Sequence, residues 1–143
     1  LYYNGATKFA PIHCSDLTDT IYYIISKNIH SKIIECIGPE ILTLKEILKK
    51  LLILVSKSRL LIPLPFFAAN LSAKIFQLFP KPLLTTDQLK LLKYDNIPSN
   101  KYQTNFDIGI PSTRLFEQEV EKYCYMWRES GQFSTKKYNS NNF

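Results

Sequence analysis

His13 and Asp16 mark the one place in the sequence where an imidazole and a carboxylate lie close along the chain. Such a pair can move protons near neutral pH when a substrate proton or a nucleophile sits within hydrogen-bond reach. Both residues also have a structural explanation. Asp16-Leu17-Thr18-Asp19 has the form of a capping box with Asp in place of Glu, so Asp16 is expected to satisfy free N–H groups where a helix begins. His13 is then a side chain at the end of the preceding strand. The structural reading outweighs the catalytic one, because nearness in sequence is not geometry.

Three other places invite a chemical reading. Thr85-Thr86-Asp87 opens a short helix whose N–H groups could face an anion. Asp87 puts negative charge at that spot, which leaves Thr86 as a cap. Arg114 stands in the first turn of the last helix, where the helix dipole favours acids. It reads as a solvated side chain, with pairing to an acid or a phosphate left open. Cys14, Cys36 and Cys124 are far apart in apolar surroundings, and neither His13 nor His30 completes a ligand spacing with them. They read as buried free thiols of a reducing compartment, with no metal site. No Ser/His/Asp set, Walker loop or glycine-rich dinucleotide fingerprint is present, and the chain has only 4 glycines. No residue is therefore assigned as catalytic or cofactor-binding.

The elements that carry these residues follow from periodicity. "FAPIHCSDLTDTIYYIISK" reads as an extended strand, a polar corner and a helix with Leu17, Ile21, Ile24 and Ile25 on one stripe. Phe9, Pro11 and His13 fall on one side of that strand. Ile33–Ile37 is a short β-branched run closed by Gly38-Pro39. Thr43-Leu44-Lys45-Glu46 is a full capping box, with Thr43 as the cap of a helix that is apolar on most sides. "RLLIPLP" reads as an edge strand, because its prolines cannot donate to a ladder. Phe66–Phe79, framed by Pro65 and Pro80, reads as an apolar helix too short for the roughly 20 residues a bilayer span needs. A loop from Asp95 leads to a turn at Gly109, and Ser112 or Thr113 is expected to cap the last helix. The stripe of that helix is Phe116, Val120, Tyr123, Cys124 and Trp127. "STKKYNSNNF" has no periodicity and reads as a tail.

The 143 residues are 45% hydrophobic and 13% aromatic, which allows one modest core and excludes a disordered chain. The net charge of +6 permits contact with an anionic surface. The lysines are evenly spread and do not alternate with aromatics on a strand platform, which argues against nucleic acid.

Taken as a series, these pieces resemble the C-terminal half of atypical and extended short-chain dehydrogenases/reductases. The most similar branch contains the NAD(P)-binding accessory subunit of respiratory complex I (NADH:ubiquinone oxidoreductase). "TKFAPIHCSDLTDTI" is similar to that family's late strand leading through an Asp into a helix. "IIECIGPEILTLKEIL" resembles its next strand-to-helix step. "LIPLPFFAANLSAKIFQLFPKPLLTTDQLKLLKYDNI" is the most diagnostic stretch, and "FDIGIPSTRLFEQEVEKYCYMWRESGQF" resembles the closing pattern. The resemblance runs from about Asn4 to Phe133.

It implies an α/β fold made of the last strands of a Rossmann-type parallel sheet plus a small, mainly helical C-terminal lobe. Residues 1–42 would form the terminal strands and helix, 43–131 the lobe and 132–143 a disordered tail. The glycine-rich loop and the family's Tyr-x-x-x-Lys pair would lie before Leu1, in an N-terminal Rossmann half absent from this chain. Phe9, Pro11 and His13 would then line one wall of a substrate crevice, with Asp16, Thr43 and Thr86 as helix caps. NAD or NADP is implied for the full-length family and none for this stretch alone. The implied partners are the missing Rossmann half, complex I subunits and an anionic membrane surface. The location would be peripheral to the inner or cytoplasmic membrane, in a cytoplasmic or matrix-like compartment. The implied role is a non-catalytic one in assembly or stability. Half of a reductase or sugar-nucleotide epimerase, a basic membrane-surface module and a non-functional gene remnant remain open alternatives.

Overall fold

The computed structural model describes residues 1–63, 86–128 and 131. Among these the architecture is α/β. In chain order the elements are β1 (Lys8–Phe9), α1 (Cys14–Ser26), β2 (Ile34–Glu35), β3 (Leu42–Thr43), α2 (Leu44–Leu54), α3 (Thr86–Leu91), β4 (Gln103–Thr104) and α4 (Phe116–Cys124). Single 3-10 turns stand at Tyr2–Gly5 and Tyr125–Trp127. No described helix is long and apolar enough to cross a membrane. The expected helix at Phe66–Phe79 and the tail at 132–143 lie outside the described residues.

The strands are two residues each and form two separate pairs. β2 and β4 are parallel, with Ile34 opposite Gln103 and Glu35 opposite Thr104. β1 and β3 are antiparallel, with Phe9 opposite Leu42, and Phe9 also meets Asn96 in a parallel bridge. Parallel pairing is thus found for one pair, and β1 departs from it because β3 arrives from the opposite direction to hand over into α2. β3 also straddles residues 42 and 43, so strand pairing crosses the point where the terminal strands were expected to give way to a helical lobe. Residues 59–63 of the expected edge strand carry no strand pairing.

Gly38 fixes how the two pairs sit together. Its N–H donates to the Ala10 carbonyl at 3.2 Å, and a Cβ there would stand 1.7 Å from the Pro11 oxygen. Only glycine allows this backbone-on-backbone approach.

Both long helices end in the same way. After α1, Asn28 N–H donates to Ile25 O and Ile29 N–H to Ile24 O, with Asn28 at φ 50°. After α2, Ser56 N–H donates to Ile53 O and Lys57 N–H to Leu52 O, with Ser56 at φ 54°. These are Schellman closures in which Asn and Ser take the left-handed place that glycine usually fills. The clearest apolar core joins α2 to α4. Leu54, Val120 and Cys124 are buried there, with Leu51, Val55 and Phe116 packed on them. Arg128 reaches across from the end of α4, its Nε donating to the Leu54 carbonyl at 2.7 Å and so satisfying an open carbonyl of α2.

Candidate functional site

The imidazole–carboxylate neighbourhood sits where α1 and α4 begin, and its wiring differs from the expected one. The N-cap of α1 is His13, whose Nδ1 accepts from Ser15 N–H at 3.2 Å. Asp16 is inside the first turn and is not the cap. Its carboxylate is drawn away from its own helix by stronger donors. Oδ2 accepts from the N–H groups of Thr113 (3.3 Å) and Arg114 (3.2 Å), and Oδ1 accepts from Arg114 Nη1. Asp16 is buried while Arg114 keeps about a third of its side chain in water, at 35%. Arg114 is therefore not a free solvated side chain but half of an ion pair, with Asp19 a further 3.8 Å neighbour.

Neither Ser112 nor Thr113 caps α4. The N-cap position is Leu115, without a side-chain bond, and Glu40 supplies the missing acceptor by taking the Phe116 N–H at 3.0 Å. Thr43 does cap α2. Its Oγ1 accepts from Glu46 N–H at 3.2 Å, while Glu46 Oε2 accepts from the Thr43 N–H at 2.7 Å. Those bonds hold the Glu46 carboxyl below its ordinary range. Thr86 is the first residue of α3, and its side chain lies outside the description.

The three crevice-wall residues do not share one wall. Pro11 and His13 line a cavity of about 180 Å³ with Arg114, Phe116, Glu119 and Tyr123. Phe9 lines a larger one of about 670 Å³ with Gln88, Leu91, Leu92, Tyr94 and Asn96. The strand is only two residues long and ends at Phe9, so Pro11 and His13 lie beyond it. The larger cavity is mostly apolar. Gln88, Asp95 and Asn96 stand in its lining, while His13, Arg114 and Glu119 gather at the smaller one.

That smaller cavity is where proton chemistry would have to occur. His13 Nε2 lies 3.8 Å from Glu119 Oε2 and 3.9 Å from Cys14 Sγ. Because Nδ1 accepts from Ser15, the neutral ring carries its proton on Nε2. Wired this way, the lone pair a general base would use is spent on the cap, and Nε2–H is left as a hydrogen-bond donor. Glu119 is held below the ordinary carboxylate range, first by the hydrogen bond from Lys122 and further by the charges of Lys122, His13 and Arg114. The arrangement fastens two helices together. Cys14, expected to be buried, is exposed; Cys36 is half-buried, and its thiol is pushed up by burial. Among the described residues no group of three or more His, Cys, Asp or Glu is placed to hold a metal ion.

The sequence reading overlooked a second polar centre. Asn105 is fully buried. Its Nδ2 donates to Ile110 O (3.1 Å) and Ser112 Oγ (3.0 Å), and its Oδ1 accepts from Ile37 N–H at 2.8 Å. Ser112 Oγ in turn donates to Ile37 O at 2.8 Å. One amide thus ties the end of β2, the residue after β4 and the approach to α4. The only sequence signal was an Asn and a Ser flanking the Gly109 turn.

No protein-family model matches the chain, and no curated protein matches it.

Proposed function

We propose that this chain is the C-terminal part of an NAD(P)-binding protein of the short-chain dehydrogenase/reductase type, with a Rossmann-type sheet completed by other polypeptide. Its role is non-catalytic: it acts in assembly or stability of NADH:ubiquinone oxidoreductase, beside an anionic membrane surface. The observation that carries this reading is the outer face of α1. Ile21 (48%), Tyr22 (73%) and Ile25 (69%) are exposed there, and Ile33 (60%) joins them just before β2. A stripe of large apolar side chains beside a short parallel strand pair is the surface a further layer of an α/β sheet would cover. The wiring of His13 as a cap supports the non-catalytic part, and the resemblance of the whole series of motifs supplies the family.

The test is the company the protein keeps in its own cells. Membranes solubilised in mild detergent and separated under native conditions would be probed with an antibody against residues 86–94. Co-migration with NADH:ubiquinone oxidoreductase activity is the expected result. Recovery solely as a free 16.6 kDa polypeptide would overturn it.

A further inference from the structure

α2 turns one row of side chains outward. Lys45, Lys49 and Ile53, four residues apart, are all exposed. After the Schellman closure at Ser56 the chain doubles back along the helix. By Ile62 it has returned to the beginning of α2. The Leu1 backbone nitrogen donates to the Ile62 carbonyl, and Leu1 and Lys45 both crowd Gly5, standing 3.1 and 2.9 Å from where a Cβ would be. The lengths agree: the helix rises roughly 16 Å, and residues 57–62 reach roughly 20 Å when extended.

The two lines run antiparallel, and their exposed side chains share one chemistry. Exposed along them are four cations, Lys45, Lys49, Lys57 and Arg59, and three aliphatics, Ile53 (72%), Leu60 (85%) and Ile62 (59%). Among the described residues none of these cations has an acidic side chain at ion-pair distance. The acids nearest in the fold are occupied: Glu46 is held by Thr43, and Glu117 by Lys50. Polynucleotide sites set aromatic platforms or groove-reading donors beside their cations. Branched aliphatics interleaved with lysines suit a lipid headgroup layer, where the cations meet phosphates and the aliphatics reach the acyl boundary.

We infer that this face of α2 and residues 57–62 is the surface by which the protein lies on an anionic phospholipid membrane. The inference rests on the membrane-proximal reading above and names the surface that reading leaves open.

The test is sedimentation of the full chain with vesicles of phosphatidylcholine, with and without about a third phosphatidylserine. Binding to the anionic vesicles that weakens with salt is expected. The double variant Lys57→Glu/Arg59→Glu should lose about tenfold or more in partitioning, and Lys49→Glu a smaller, graded share. Leu60→Ser should weaken binding about threefold or more and leave its salt dependence in place. Lys90→Glu/Lys93→Glu, on and just after α3, should bind as the parent does. Far-UV circular dichroism matching the parent qualifies each variant. The proposal is overturned by no binding at low ionic strength, by undiminished binding of the Lys57/Arg59 variant, or by binding to polyuridylate and not to vesicles. Vesicle binding by a chain that never co-migrates with the oxidoreductase would leave this surface standing and remove the assembly role. Co-migration without vesicle binding would do the reverse.

Discussion

The two sides of α1 make opposite demands on their surroundings. The inner side carries Asp16 and Thr20, both buried and both satisfied: Asp16 by Arg114 and two backbone N–H groups, Thr20 by donating to the Asp16 carbonyl at 2.9 Å. The outer side carries Ile21, Tyr22 and Ile25, exposed. Hydrophobic patterning alone assigns these sides the other way round. The helix therefore meets its own chain through Asp16 and Thr20 with Leu17 and Ile24 half-buried, and leaves Ile21 and Ile25 of its apolar stripe in water. The polar contact is the stronger constraint, since a buried carboxylate without partners costs more than an isoleucine left in water.

Breaking the inner side should have the largest effect. Asp16→Ala leaves the Arg114 guanidinium and two backbone N–H groups without their acceptor, and a loss of about 3–5 kcal/mol is expected in urea unfolding. Arg114→Ala should cost clearly less, because Arg114 is partly in water; equal losses would mean that the pair is not the clamp. Asn105→Ala removes three hydrogen bonds at a fully buried position and should cost about 2–4 kcal/mol, with Ser112→Ala costing less.

Next comes Thr43→Ala, at about 1 kcal/mol for a lost cap. It carries a pH signature. Glu46 is held below its ordinary range by the Thr43 N–H and hydroxyl. The stability it contributes is full above the ordinary carboxylate value, roughly pH 4, and is lost as pH falls through the lowered one. Unfolding midpoints between neutral and acid pH should therefore fall less steeply in Thr43→Ala than in the parent. The smallest effect belongs to the outer side: Ile25→Lys should leave stability within about 0.5 kcal/mol while raising solubility. A large loss there would show that the outer stripe is already in use within the chain.

Much of this was legible in advance, and the reason differs by residue. Thr43 was readable because a capping box is local, with all its partners inside four residues. The α/β class and the helices at Cys14, Leu44 and Phe116 followed from periodicity and turn residues. Asp16 was misread as a cap because its true partners lie on the approach to α4, beyond the reach of any local pattern. Asn105 was missed for the same reason. Phe9, Pro11 and His13 share one wall only if the strand runs past its two residues, and they line two different cavities.

Phe9 also carries a consequence for how the chain acquires its shape. Its backbone neighbours are Leu42 on β3 and Asn96 far downstream. Contacts so distant along the chain are slow to form, since a long loop must close before they return any stability. During synthesis Phe9 has to wait, half-dressed, until Asn96 has left the ribosome.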